Sequence, residues 1–260
     1  MCRAIHDHCR VLGVLLPSLR DFVRAFALAS PGGAVFESGV TAAIVPAMPD
    51  RAVVNSVVYD DAGELEARLP DIAAAYDDAG VAKWTVWAHE DDARAARALE
   101  AFGNFLDSEP MAMGRGLEGV EAPDLGELEL VSDPEPEAVA DLLARVYGWE
   151  NIAAALRWYD GYFPYLALLD GEPAVTLGIH DRGDDAHVTL VGTAEAARGR
   201  GFAGLLMCRA LADARERGRT TTTLVATKMG HPVYARLGYR DYGRMRMWER
   251  PRPRDGDNDA

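Results

Sequence analysis

The sequence predicts an α+β fold, a mixed central sheet flanked by helices, written twice along the chain. Three observations predict it. The second half alternates hairpins with one glycine-opened strand-to-helix crossover, which fits α+β rather than a doubly wound sheet. Two composition breaks divide the chain. Helix-ending glycines recur, with Gly80 and Gly103 23 residues apart and Gly218 and Gly238 20 apart. The breaks give an N-terminal extension at 1–19, a first domain at 20–117, a linker at 118–126, a second domain at 127–250 and a disordered tail at 251–260.

In the first half, Val35 to Glu37 and Val40 to Val45 can form a hairpin, and Arg51 to Tyr59 reads as a strand. Glu64 to Ala79 is a helix stopped by Gly80, Trp84 to His89 a strand, Asp92 to Phe102 a helix stopped by Gly103, and Asn104 to Arg115 a strand pair. Trp84 and Trp87 fall on opposite faces of their strand, so at least one should face the interdomain surface. In the second half, Glu127 to Val131 alternates as a strand, and Glu137 to Tyr147 carries Val139, Leu142, Leu143 and Val146 at helical spacing. Ile152 to Tyr159 reads as a second helix. Tyr165 to Leu169 and Ala174 to Ile179 flank an Asp170-Gly171 turn, and Ala186 to Val191 follows as a third strand. A long helix opened by Gly199 to Gly204 runs to Arg217. Thr220 to Ala226 is β-branched, His231 to Leu237 is a short helix, and Tyr239 to Trp248 is a closing hairpin arm. The first half repeats part of this order but lacks the glycine loop, as a degenerate copy would.

Composition bounds the function. A length of 260 residues suits two small domains or one large one, and 49% apolar residues exclude disorder as the main state. With 27 Lys+Arg against 41 Asp+Glu, the net charge of −14 denies nucleic acid or an anionic membrane a broad positive field, so neither is expected as a partner. A cationic amine suits such a surface better. The lysines are Lys83 and Lys228, and the arginines are scattered except from Arg198 to Arg219. Cys2, Cys9 and Cys208 form no even framework, which fits a reducing compartment and a cytoplasmic location. Cys2, His6, His8 and Cys9 lack a second ligand pair at finger-like spacing, so no metal is expected. Val11 to Leu16 is too short to span a bilayer, ends at Pro17, and precedes no small-residue cleavage site.

The chemistry concentrates in Arg198, Gly199, Arg200, Gly201, Phe202, Ala203 and Gly204, between a strand and a helix. Glycines let the backbone turn tightly and present successive N–H groups at the positive end of a helix, which makes an anion clamp, although the same glycines could serve only as a turn. No Lys-Ser/Thr of a P-loop follows, and the preceding strand belongs to a hairpin, which argues against nucleotide hydrolysis and dinucleotide binding.

Arg198-x-x-Gly201-x-Ala203 resembles the pyrophosphate signature of the GNAT superfamily of N-acetyltransferases, and the element order from Glu127 to Trp248 resembles its fold. Tyr234-Ala-Arg-Leu-Gly-Tyr239, beginning 31 residues beyond Ala203, resembles the family's Tyr-x-x-x-Gly-Phe. The resemblance implies acetyl-CoA as co-substrate and an amine-bearing small molecule or peptide as acceptor, attacked directly in a ternary complex, in a monomer or homodimer. It implies that Val191, Gly192 and Thr193 pair with the pantetheine arm, that Arg198 to Gly204 hold the pyrophosphate, and that Tyr234 protonates the departing thiolate. Thr227 stands where many members have an asparagine that contacts the cofactor arm, and Glu195 stands where a proline is common. Amides near the end of the Val191 strand would hold the oxyanion. Trp149 and Trp158 fall on the helices that border the family's acceptor groove.

The attacking amine must be neutral, which for a lysine-like group of pKa about 10.4 costs roughly 4.6 kcal/mol at pH 7. Candidates for the base are Glu172, His180, His187 and His231, and none stands out. A non-catalytic acyl-CoA-binding regulatory module is the alternative, and another acyl donor such as succinyl-CoA fits the same motifs.

Overall fold

A computed structural model describes residues 2–251, with the backbone alone for residues 2–12. The Cys2, His6, His8 and Cys9 grouping and the tail from residue 252 lie outside the described side chains. The chain forms two compact units, one made of the chain up to Phe22 with Pro110–Gly243, the other of Val23–Glu109 with the chain from Arg244 on.

The first element, α1 (Cys2–Ala29), contains Pro17. An apolar run ending at Pro17 was the sequence expectation, with residues 1–19 as an extension; the helix instead continues through the proline. Leu15, Ser18, Leu19 and Val23 are buried along it, and that tertiary burial outweighs one lost backbone N–H.

The unit containing Val23–Glu109 follows with β1 (Ala34–Glu37), β2 (Val40–Ile44), β3 (Ser56–Tyr59), α2 (Ala62–Asp78), β4 (Lys83–His89), α3 (Ala93–Phe102) and β5 (Phe105–Ser108). The β1 and β2 strands pair antiparallel, as do β2 and β3, whereas β3 and β4 are parallel. Leu65, Leu69, Ile72 and Tyr76 recur along one face of α2 and join Trp84, Val86 and Leu99 in this unit's core. The strand expected over Arg51–Tyr59 begins only at Ser56. Before it, the Asn55 side chain accepts from the Val45 N–H at 2.7 Å and donates to the Met48 and Arg51 carbonyls, holding a loop rather than a ladder. Trp84 and Trp87 are both buried, Trp84 stacked on Tyr76 and Trp87 donating to Ser56 Oγ at 2.9 Å.

The other unit is built from β6 (Met111–Gly116), β7 (Leu128–Leu130), α4 (Pro136–Tyr147), α5 (Ile152–Ala155), β8 (Tyr162–Leu169), β9 (Glu172–Arg182), β10 (Asp185–Thr193), α6 (Phe202–Glu216), β11 (Thr221–Ala226) and α7 (His231–Arg236). Its β8, β9 and β10 form an antiparallel meander, and β10 pairs parallel with β11. This is the β1 to β4 pattern again, so the predicted duplication has a structural counterpart. The segment expected as a linker, 118–126, lies within this unit, with Leu117 and Val120 in its core and Leu125 packed against it. The helix expected over Ile152–Tyr159 is one turn: Leu156 is extended, and Trp158 Nε1 donates to the Pro134 carbonyl at 2.9 Å.

The strand pair expected over Asn104–Arg115 does not pair with itself. Instead β6 pairs antiparallel with β11, while β5 pairs with the last strand, β12 (Arg240–Pro251), whose residues 245–251 also pair with β4. That strand is a single long arm, not the closing hairpin arm of its own sequence half. Each copy's sheet is thus completed by a strand from the other half of the sequence, which is why the compact units and the linear boundaries differ. Among the described residues, no helix is long and apolar enough to cross a membrane.

Candidate active site

The site arises from a failure of strand pairing. Along β10 and β11 the parallel register runs from Asp185↔Thr221 to His187↔Thr223 and stops, although both strands continue. On its other side β10 passes from Thr189↔Gly178 to Gly192↔Thr176, so Leu190 and Val191 stand opposite Leu177 alone. This is a β-bulge, and Leu190 adopts φ 51°, a conformation costly for a residue with a Cβ and common at functional sites. Beyond it lies a cleft of about 720 Å³ between the splayed strands, α6 and α7.

The clamp closes one end of this cleft. Gly201 caps α6 with φ 82° and no side-chain cap, and Gly199 has φ 77°. The backbone N–H groups of Gly199 to Ala203 have no acceptor among the described residues, and Gly204 is the first to bond back into the helix. Five successive free amides beside an uncapped helix terminus form a concentrated positive site. Arg198 lines the cleft and donates through Nε to the Thr193 carbonyl at 3.2 Å.

The structure brings most of the predicted binding residues together: Val191, Thr193, Arg198, Gly199 and Gly201 to Gly204 line the cleft, with Thr227 and Tyr234 opposite. Two do not. Arg200 is paired with Glu127 and lies over the Phe202 ring at 4.5 Å, so Glu127 competes for its charge. Gly192 faces away, where a Cβ would meet Leu143 Cδ2 at 3.3 Å. Thr227 lines the cleft, but its hydroxyl accepts from the Gly230 N–H at 3.2 Å and so helps shape the turn into α7.

Tyr234 is buried on α7, edge-on to Tyr239 with ring centroids 6.0 Å apart, and its hydroxyl has no protein partner among the described residues. Burial, with the nearby Tyr147, pushes its hydroxyl above the usual tyrosine range, so it remains a donor throughout the neutral range. Gly230 makes room for it, since a Cβ there would meet the Tyr234 ring at 2.9 Å.

Tyr147, Thr189 and Arg236 are among the lining residues that sequence reasoning missed. Tyr147, at the end of α4, donates its hydroxyl to the Val191 carbonyl inside the bulge and stacks on Trp149 at 4.7 Å. Thr189 lies on the β10 wall and Arg236 on α7. Of these three, Arg236 left a signal, as the cation inside the Tyr234 to Tyr239 motif. Trp149 and Trp158 both lie in loops rather than on helices, Trp158 stacked on Tyr162 at 5.4 Å.

None of the four candidate bases lines the cleft. Glu172 is exposed beside the β8–β9 turn, and His231 bonds Asp241 through Nε2 at 2.8 Å. His180 on β9 and His187 on β10 are cross-strand partners, both buried. His180 Nε2 meets Asp21 at 3.1 Å and its Nδ1 meets the Tyr159 hydroxyl at 3.3 Å, while His187 Nδ1 meets Thr223 Oγ1 at 3.0 Å. Burial pushes the pKa of His187 down to about 3 and lowers that of His180 against the opposing pull of Asp21, so both rings are neutral at pH 7. Among the described residues no group of three His, Cys, Asp or Glu side chains is placed to hold a metal ion.

Comparison with known proteins bears on the fold. Residues 128–239 match the model of the acetyltransferase (GNAT) family. A GCN5-related N-acetyltransferase from Kribbella flavida superposes with a TM-score of 0.66 at 17% identity, over 94% of this chain and 98% of that one. A tandem GNAT protein from the clavulanic acid biosynthesis pathway superposes with a TM-score of 0.58 at 17% identity, over 94% and 97%. A GCN5-related N-acetyltransferase from Sphaerobacter thermophilus gives 0.60 at 17%, over 84% and 78%. At such identities the likeness establishes the fold. No curated protein matches the chain in sequence.

Proposed function

Taking residues 128–239 as a domain of the acetyltransferase (GNAT) family, we propose that the cleft binds acetyl-CoA and that the domain moves its acetyl group to a primary amine of a small molecule or peptide. The observation that carries this reading is the run of free amides from Gly199 to Ala203 at the mouth of a cleft walled by unpaired strand edges. Amides and Arg198 suit a diphosphate. The free edges beyond His187 and Thr223 suit an extended arm bearing its own amides, which would add like a strand.

Acetyl-CoA supplies an activated thioester. The chain's part is to orient and to handle charge. Backbone N–H groups near the bulge at Leu190 and Val191 can stabilise an oxyanion. The Tyr234 hydroxyl, protonated and without a protein partner, can donate to a thiolate of ordinary pKa about 8.5. A ternary complex with direct attack requires no nucleophilic side chain in the cleft. Cytoplasmic location and a monomeric or homodimeric state belong to the same proposal.

A second reading, a binding module without turnover, is favoured by one observation: none of the candidate bases lines the cleft. Thiol release from acetyl-CoA over a broad amine panel separates the two. Turnover that falls on Tyr234→Phe supports the enzyme, whereas acetyl-CoA binding with no thiol release for any amine supports the module. Calorimetry with Arg198→Ala tests the clamp itself, and unchanged affinity would remove it.

A further inference from the structure

The cleft carries positive charge at two separate places. In a chain with 41 acidic residues, the charged side chains among those lining the cleft are Arg198 and Arg236, and neither is a carboxylate. They sit on separate elements, Arg198 before the glycine loop and Arg236 in the last turn of α7. Their engagement differs. Arg198 is tied to the Thr193 carbonyl, and Arg200 is tied to Glu127. The exposed guanidinium of Arg236 has no hydrogen-bond or ion-pair partner among the described residues.

An unpartnered arginine on an acidic protein, facing a cleft that already holds one anion clamp, points to a ligand with two separate anionic groups. We propose that Arg236 binds the 3′-phosphate of coenzyme A and makes the cleft discriminate coenzyme A from its 3′-dephospho form. This rests on the acyl-CoA reading above. The loop amides and Arg198 match the bridging diphosphate, and the 3′-phosphate is the remaining charged group. A phosphate monoester presents several oxygens to a planar guanidinium and can be held by two parallel N–H···O bonds.

The test is calorimetry of the full-length protein with coenzyme A and 3′-dephospho-coenzyme A. The wild type should bind coenzyme A about tenfold more tightly, the size expected of one solvent-accessible charge-assisted contact, and the preference should shrink as salt rises. Arg236→Gln should bring the ratio close to one by weakening coenzyme A alone, and Arg236→Lys should restore part of it. A wild type that binds both equally overturns the assignment and leaves the acyl-CoA reading standing. Equal weakening of both nucleotides by Arg236→Gln also overturns it, because Arg236 would then serve the diphosphate. Binding of neither nucleotide overturns both readings.

Discussion

The junction from β10 to α6 and the junction from β3 to α2 occupy the same place in two copies of one topology, and they treat a helix N-terminus in opposite ways. At β3–α2 the turn is Asp60-Asp61, and the Asp61 carboxylate accepts from the N–H groups of Gly63 and Glu64 at 2.8 and 2.9 Å, with Glu64 in the first turn. The helix dipole is answered from within the chain. At β10–α6 the turn is long, glycine stands at the cap, and the amides are left free. The following elements diverge too. Four residues before the glycine that ends the helix following the parallel strand of each copy (α7 after β11, α3 after β4), one has Tyr234 facing a cleft and the other has Leu99 fully buried in its core. Next to β3, the Tyr59 hydroxyl bonds Asp92 at 2.8 Å, so that strand end is closed by side chains. One copy leaves its helix-terminal amides unanswered, and the other answers them with its own side chains.

If that contrast is right, removing one hydroxyl should have the largest effect. Tyr234→Phe makes the second copy resemble the first in chemistry without disturbing packing. It should lower kcat by about 100-fold or more, as loss of a positioned proton donor does, with the dissociation constant for acetyl-CoA unchanged. Steady-state thiol release with calorimetry checks both halves. An unchanged kcat would mean that the buried tyrosine only fills space.

Next in size is a transplant of the self-satisfied cap. Gly201→Asp places a carboxylate where Asp61 stands in the other copy. Aspartate tolerates the left-handed backbone at this position better than most residues, at a cost of about 1 kcal/mol. Coenzyme A affinity should fall about 100-fold or more, because an attraction becomes a repulsion at the diphosphate. Retained affinity in a protein that melts normally would show that the amides are not the clamp.

Much of this contrast is legible in the sequence, and the reasons are local. Glycines at 199 and 201 report positive φ directly, and the capping chemistry of Asp61 or Asp92 is encoded within a few residues. What escapes is everything decided across long separations. Arg200 looks like part of the clamp until Glu127, 73 positions away, takes its charge. Tyr147 reaches the Val191 carbonyl across 44 positions. The strands β6 and β12 carry ordinary strand patterns, and nothing in them says which copy's sheet they will complete. Pro17 argues for a helix stop by itself, and only the burial of the residues around it reverses that.

Acid should separate the two units by a smaller margin. The unit with the cleft buries His180 and His187, whereas the described residues of the other bury no histidine. A folded pKa of about 3 for His187 lies below the unfolded value of about 6.5, so its contribution is complete above pH 6.5 and is lost as pH falls toward 3. At pH 5 that loss is about 2 kcal/mol, and the lowered His180 adds to it. Asp185 has its carboxyl pKa raised by burial and works in the opposite sense, gaining stability as it takes a proton. Urea melts followed at pH 7 and pH 5 should show the wild type losing stability, and His187→Gln should flatten the dependence. A slope unchanged in the variant would locate the acid sensitivity elsewhere.

The smallest effect comes from breaking the comparison at its quiet end. Asp61→Ala frees the amides of Gly63 and Glu64 in the other copy. Freed amides alone do not make an anion site: the long glycine turn is missing, the Arg94 guanidinium beside Gly63 is paired with Glu66, and Glu64 remains in the first turn. The variant should therefore lose about 1 kcal/mol of stability, the usual cost of a removed cap, seen as a lowered urea midpoint. Its coenzyme A affinity and stoichiometry should match the wild type. A second coenzyme A equivalent bound by this variant would show that the capping carboxylate alone separates the two copies, and that a helix terminus needs less supporting architecture than the β10–α6 junction displays.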